Sequence, residues 1–151
     1  RSPEYLHPEE NIFRTTTSAT YSQPLGFNRF LNTTALWGLN SGDLNENAVL
    51  LEGVLVQNRL AVYTRYEWIQ KSGEELNLDE NTYGKNAIYP INALTLGLSY
   101  DIFQSKAINL AIGAQGSYFN ADDRLNTLYG KSPVSAEVYL RLYPPRMTVQ
   151  M

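Results

Sequence analysis

The sequence predicts an all-β chain, an antiparallel up-and-down sheet of about seven strands. Two observations carry that prediction. Apolar and polar residues alternate with a period of two over stretch after stretch, the side-chain period of a strand. Each stretch is bounded by Asn, Gly, Pro or Ser, the residue types that turn a chain. A third observation bears on the setting. No stretch approaches the ~18 consecutive apolar residues of a membrane-spanning helix, whereas a barrel strand needs only about 9 to 11 alternating ones.

The clearest hairpin lies in residues 48–70, AVLLEGVLVQNRLAVYTRYEWIQ. A two-residue turn at Asn58 and Arg59 sets Gln57 opposite Leu60, Glu52 opposite Arg65 and Leu50 opposite Glu67. In that register Glu52, Tyr63, Arg65 and Glu67 share one face, while Val49, Leu51, Leu55, Val62, Tyr66 and Trp68 share the other. A slip of one residue would put Arg65 among the apolar side chains, so the polarity of the face selects the register.

The other elements follow the same rule. Residues 1–12 form a polar segment without a secretory leader. Residues 13–23, FRTTTSATYSQ, are a threonine-rich strand that sets Arg14, Thr16, Ser18 and Thr20 on one face. Pro24, Gly26 and Asn28 turn the chain into residues 29–39, with Leu31, Ala35, Trp37 and Leu39 aligned. A polar loop, 40–47, leads into the hairpin, and a long one, 71–90, leaves it. Residues 91–102 alternate most cleanly: Leu94, Leu96, Leu98, Tyr100 and Ile102 oppose Ala93, Thr95, Gly97, Ser99 and Asp101. After a turn at 104–106, residues 108–119 place Ile108, Leu110, Ile112 and Tyr118 against small or polar Asn109, Gly113, Gln115 and Ser117, which leave room for neighbours. A third polar loop, 120–133, precedes the last strand, 134–143, which Pro144 and Pro145 stop. The expected organisation is one domain over 1–151, with strands within 13–143 and a tail at 144–151.

The expected connections alternate short and long, as in outer-membrane barrels, whose turns are tight on the periplasmic side and long outside. Such barrels close with an even strand count from eight upward, so at least one strand beyond these seven is expected, and the chain is expected to be the C-terminal part of a larger barrel. A net charge of -3 and the absence of a basic run exclude an electrostatic footprint for nucleic acid. With no cysteine, neither a disulfide framework nor a thiolate metal site can form.

The runs RTTTSATYSQPLG, TALWGLN, NAVLLEG, RYEWIQKS, ALTLGLSYDI, LAIGAQGSYF, LYGKSP and YLRLYPPRM resemble the C-terminal part of an uncharacterised family of bacterial outer-membrane β-barrel proteins. The family pieces read roughly T-x-S-x-x-Y-x-x-P-L, W-G-x-N, LLE, R-x-E, T-x-G, G-x-G, YG-x-x-P and L-x-L-x-P. Two departures stand out: Gly113 and Gly116 are spaced one residue wider than G-x-G, and the last strand ends Tyr143-Pro144-Pro145 without a terminal Phe. The resemblance implies the fold, the compartment and further N-terminal strands. It implies no activity.

Candidate chemistry is sparse. His7 is the single histidine and would have to serve any His-based catalytic or metal site. The pairs Asp43/Glu46, Glu74/Glu75, Asp79/Glu80 and Asp122/Asp123 could ligate a hard cation, but none has EF-hand spacing, and solvated loops account for them. No catalytic residue, metal site or cofactor is expected. Arg14, Glu52, Arg65, Glu67, Asp101, Glu137 and Arg141 are expected inside the barrel, paired by opposite sign, with Tyr63, Tyr139 and Tyr143 narrowing it. Trp37, Tyr66, Trp68, Tyr100 and Tyr118 are expected on the lipid face as an aromatic girdle.

The functional expectation is therefore a transmembrane β-barrel of a Gram-negative outer membrane. It would be porin-like, a passive pore or a structural surface protein, and not an enzyme. Its partners would be membrane lipid, the barrel-assembly machinery and the missing N-terminal strands. The alternative is a soluble lipocalin-like barrel holding a small apolar ligand, which would turn Leu94, Leu96, Leu98 and Leu110 inward. Which face is wet decides between them.

Overall fold

The structure, a computed structural model, describes residues 12–42, 44–84 and 86–145. Seven strands form one sheet in chain order, each antiparallel to the next: β1 (Phe13–Gly26), β2 (Arg29–Ser41), β3 (Asn45–Gln57), β4 (Leu60–Ser72), β5 (Ile88–Gln104), β6 (Asn109–Ala121) and β7 (Val134–Tyr143). One-turn helices α1 (Glu80–Tyr83) and α2 (Asn126–Tyr129), the latter preceded by a 3-10 turn (Asp123–Leu125), lie in the two longest connections. The all-β, up-and-down antiparallel expectation holds. β1 and β7 do not pair with each other, so among the described residues the sheet is open along both margins.

The central hairpin has the expected register: Gln57 opposes Leu60, Glu52 opposes Arg65 and Leu50 opposes Glu67. Asn58 supplies the turn through a positive φ of 56°, and Asn28 does the same with φ 52° in the turn from β1 to β2, since asparagine tolerates the left-handed region better than most residues. Gly26, at φ 127°, takes up the register shift that follows Pro24 in β1. Adjacent turns are tied together, because the Asn58 amide donates to the Asn28 carbonyl at 2.8 Å and the Asp101 amide to the Arg59 carbonyl at 2.9 Å.

One expected loop is not there. Residues 40–47 are strand at both ends and leave a connection of residues 42–44 alone. The polar side chains that suggested a loop instead bond across strands. Ser41 Oγ donates to Asn45 Oδ1 at 2.8 Å, and the Asn47 amide donates to Gln70 Oε1 at 3.0 Å. The connections on this side are thus residues 42–44, 73–87 and 122–133, against 27–28, 58–59 and 105–108 on the other, so the short–long alternation fails at its first long member.

In β5 the exposure of the two faces is opposite to that of a soluble sheet. Down β5, Leu94, Leu96, Leu98, Tyr100 and Ile102 are 41 to 59% exposed. The residues between them, from Ala93 to Asp101, are buried or half-buried. The register aligns Leu51, Val62, Ile112, Val138, Leu140 and Leu142 with the exposed set. Asp101, Asn109, Ala93, Ala111 and Val56 are buried on the other face, although among the described residues no second layer covers it. The burial of Asp101 comes from neighbouring side chains, since Tyr143 and Gln104 both donate to it. Among the described residues no helix is long and apolar enough to cross a membrane, which says nothing of strands.

Candidate functional site: the enclosed polar face

Strand register carries Arg14, Glu52, Arg65, Glu67, Asp101, Glu137 and Arg141 onto one face together, where Asp101 is buried, Glu52 and Glu67 are half-buried and the other four are exposed. One ion cluster forms among them. Arg65 Nη2 donates to Glu67 Oε1 at 2.7 Å, two residues along the same strand, and Arg65 Nε stands 3.7 Å from Glu52 Oε1 across the hairpin.

Among the described residues the other four charges do not pair by opposite sign. Asp101 accepts from the Tyr143 hydroxyl and, at 2.8 Å, from Gln104 Nε2. Glu137 accepts from Gln115 Nε2 at 2.8 Å. Arg14 Nε donates to Asn40 Oδ1 at 2.8 Å, and the Arg141 guanidinium lies over the Tyr143 ring, 5.1 Å from its centre. The reason is reach. Glu137 and Arg141 are four residues apart on β7, about 13 Å along a strand, while neutral donors stand on the next strand.

Tyr63 and Tyr139 lie flat against the polar face of the sheet. An ideal Cβ on Gly97 would fall 2.2 Å from Tyr63 Cζ, and one on Gly113 would fall 2.3 Å from Tyr139 Cζ, so each ring lies flat on a glycine of the neighbouring strand. The two hydroxyls meet at 3.0 Å, and Tyr63 also donates to Gln115 Oε1 at 3.0 Å. Together with Gln115 and Glu137 they form a polar belt across β4 to β7. Thr95 with Ser117, at 2.7 Å, and Thr20 with Thr34, at 3.2 Å, extend the hydroxyl lining toward β1. The sequence reading singled out the tyrosines and the small residues opposite them. It did not join them, because ring direction is invisible in a two-residue period.

The five aromatic residues assigned to the girdle stand on the face opposite to the polar belt. Trp37, Tyr66, Tyr100 and Tyr118 are 37 to 46% exposed, and Trp68 is half-buried. Trp37 and Trp68 both oppose Val49 in one row near the long-connection side. Tyr100 lies toward the short-turn side, where Phe27 and Phe103, which the sequence reading missed, are exposed at 93 and 53%.

The long connections are knitted to the sheet. Tyr89 is fully buried, donates its hydroxyl to the Tyr83 carbonyl at 2.6 Å and carries the Arg124 guanidinium 4.4 Å above its ring. Arg124 Nε donates to Asp122 Oδ1 at 2.8 Å and holds that carboxyl below the usual range. The Thr82 hydroxyl, donating to Asp79 Oδ2 at 2.6 Å, does the same to Asp79. Glu75 pairs with Lys71 at 2.5 Å, Glu46 accepts from the Ser72 amide at 2.7 Å, and Asp123 accepts from Asn126 at 3.1 Å. Among the described residues no group of three potential ligands converges on a metal position. His7 and Asp43 lie outside the described residues, as do residues 146–151 of the tail and 1–11 of the N-terminal segment.

A double-mutant cycle tests the ion cluster. Arg65, Glu52 and Glu67 side chains are 44, 41 and 33% exposed, so each coupling is expected below about 1 kcal/mol. Arg65→Gln with Glu67→Gln should show the larger coupling, and Arg65→Gln with Glu52→Gln the smaller, following the two distances. The reverse order would mean that the cross-strand pair dominates.

The sequence matches no protein-family model and no curated protein. Among solved structures the chain is similar to one described as the crystal structure of Pseudomonas aeruginosa OpdQ, at 7% identity and a TM-score of 0.40, over 87% of this chain and 49% of that one. The chain thus spans about half the length of that structure.

Proposed function

We propose that this chain forms part of the wall of a β-barrel in a bacterial outer membrane and acts as a passive pore. The enclosed polar face would be the lumen and the apolar face would meet lipid. The observation that supports this most is the inversion along β5: Leu94, Leu96, Leu98, Tyr100 and Ile102 stand exposed while Thr95 and Ser99 between them are half-buried and Asp101 is buried. In β5 the outward run Leu94 to Ile102 covers eight residue steps, about 27 Å along the strand and about 20 Å of depth at a tilt of ~40°. That approaches the apolar band of such barrels, and aromatic residues stand at both of its ends. The lipocalin-type alternative needs Leu94, Leu96, Leu98 and Leu110 inside, and the register places all four on the opposite face from the polar belt.

The role needs no catalytic group, metal or cofactor. Its partners would be lipid, the machinery that inserts barrels, and further strands along the open margins. The seven inward charges comprise Arg14, Arg65 and Arg141 against Glu52, Glu67, Asp101 and Glu137, a balance of three to four that favours cations weakly. Planar-bilayer recording of the purified protein tests the reading. Steady conductance with a slight cation preference is expected; a membrane-inserted protein that does not conduct would make the barrel structural, and recovery in the soluble fraction would overturn the membrane reading altogether.

Topology supplies a second test. Protease applied to intact cells should cut within residues 73–87 or 122–133, away from the buried anchors Tyr89 and Leu125, and should spare Asn58-Arg59. Cleavage at Asn58-Arg59 would invert the orientation.

A further inference from the structure

The two ends of the sheet differ in charge. Residues 24–31, 55–62 and 99–110, which make the short turns and the strand ends beside them, carry Arg29, Arg59 and Lys106 against a single acid, Asp101. That acid is buried and already accepts from Tyr143 and Gln104. The connections at the other end, residues 42–44, 73–87 and 122–133, carry seven carboxylates against Lys85, Arg124 and Lys131. One rim is therefore basic and the other acidic.

Nothing in the sheet answers the three cations of the basic rim. Arg29, Arg59 and Lys106 are exposed, and among the described residues no hydrogen bond or ion pair engages their side chains. Toward the acidic rim, by contrast, Lys71 and Arg124 are each paired with a carboxylate. Arg29 stands in one cross-strand row with Gln57, Leu60 and Tyr100, near the short-turn end of the exposed apolar run of β5. Arg59 and Lys106 lie in the turns beyond that row, and those turns are tied down: the Asp101 amide donates to the Arg59 carbonyl at 2.9 Å and Ser105 Oγ to the Ile108 carbonyl at 2.7 Å. At roughly 4.8 Å per strand, Arg59 is about 7 Å across the sheet from Arg29, and Lys106 about 10 Å farther. Such spacing suits separate anions on a surface rather than one small anion in a pocket.

We propose that this rim binds the phosphodiester headgroups of anionic phospholipid in preference to zwitterionic phospholipid, an inference that rests on the reading of the exposed apolar face as lipid-facing. Charge complementarity calls for an anionic partner, and the neighbours of the cations make that partner a lipid. Leu25, Phe27, Leu60, Tyr100 and Phe103 are 40 to 93% exposed at the same rim. A lipid surface meets both features, with acyl chain beside the apolar side chains and phosphate beside the cations. A soluble acidic protein answers the charge but leaves Phe27 and Phe103 without a matching surface.

The sequence contains no cysteine, so an introduced thiol reports alone. Gln57→Cys, in the row between Arg29 and Leu60, carries a bimane fluorophore in the full-length protein inserted in phosphatidylcholine vesicles. A minor fraction of nitroxide-labelled lipid, either phosphatidylglycerol or phosphatidylcholine, then quenches it. Quenching is expected to report phosphatidylglycerol at up to about five-fold its bulk share, the factor that attraction of one basic residue to an anionic surface supplies. The preference should vanish in the combined variant Arg29→Gln, Arg59→Gln and Lys106→Gln, and equally at 1 M salt, where the screening length is about 3 Å. The same label on Asn120→Cys, beside the acidic rim, should show no such preference. Equal quenching by the two lipids at Gln57→Cys would overturn the proposal and leave the cations to an acidic protein, with the membrane reading intact. A preference that survives both the neutral variant and high salt would overturn it as well, because other groups would then select the lipid. No quenching by either lipid would remove the membrane reading itself and the proposal with it.

Discussion

Gly97→Ala is expected to destabilise the protein by about 1 to 3 kcal/mol, although the same change in a strand ordinarily stabilises by roughly 0.5 to 1 kcal/mol. The added methyl would fall 2.2 Å from Tyr63 Cζ, 2.4 Å from its hydroxyl and 2.5 Å from Cε2. No Cβ tolerates such distances, so the ring must leave the wall. Tyr63 then gives up its 3.0 Å bonds to Gln115 and Tyr139, each worth about 0.5 to 1.5 kcal/mol.

The background decides the sign. In Tyr63→Ala the obstacle is gone, and Gly97→Ala should stabilise by about 0.5 kcal/mol, as alanine does for glycine in an open strand. Urea unfolding of the four proteins in vesicles measures both values. Equal effects in the two backgrounds would mean that the ring does not lie on Gly97. Gly113→Ala faces the corresponding clash with Tyr139, but that tyrosine stands on a marginal strand and has room to swing aside, so a smaller loss is expected there.

How much of this was legible in the sequence differs by level. The strands were legible because alternation is a backbone property: the boundaries of β7 and the register of the β3–β4 hairpin agree with the structure residue for residue. That the seven charges share one face was legible for the same reason. Residues 40–47 were misread as a loop because polar side chains signal both a turn and a strand end that bonds across to its neighbour, as Ser41 and Asn47 do. The partners of Asp101 and Glu137 were not legible either. Opposite sign suggested ion pairs, whereas the contacts depend on which side chain leans along which neighbouring strand, and there Tyr143 and Gln115 reach first. The burial of Tyr89 under Arg124 was hidden too, since both lie within residues read as loops.

Leu96→Arg is expected to cost about 2 to 4 kcal/mol if Leu96 lies near the bilayer midplane, the largest single effect on the exposed face. Leu96 sits within the outward run of β5, with Tyr118 one row toward the long-connection side and Tyr100 two rows toward the short turns. It is 59% exposed, so in water the substitution would replace an exposed leucine with a soluble charge and change stability by no more than about 0.5 kcal/mol. The size of the loss therefore reads the solvent directly. Ser135→Arg is the internal control: it stands on the polar face of β7, opposite Ser117, and is exposed, so the same charge there should be tolerated. Heat-modifiable gel mobility after insertion into vesicles scores folding for both. Failure of Leu96→Arg to fold alongside normal folding of Ser135→Arg would place hydrocarbon on the apolar side of the sheet and water on the other, whereas equal folding of the two would leave the leucine face in water and sink the barrel-wall reading.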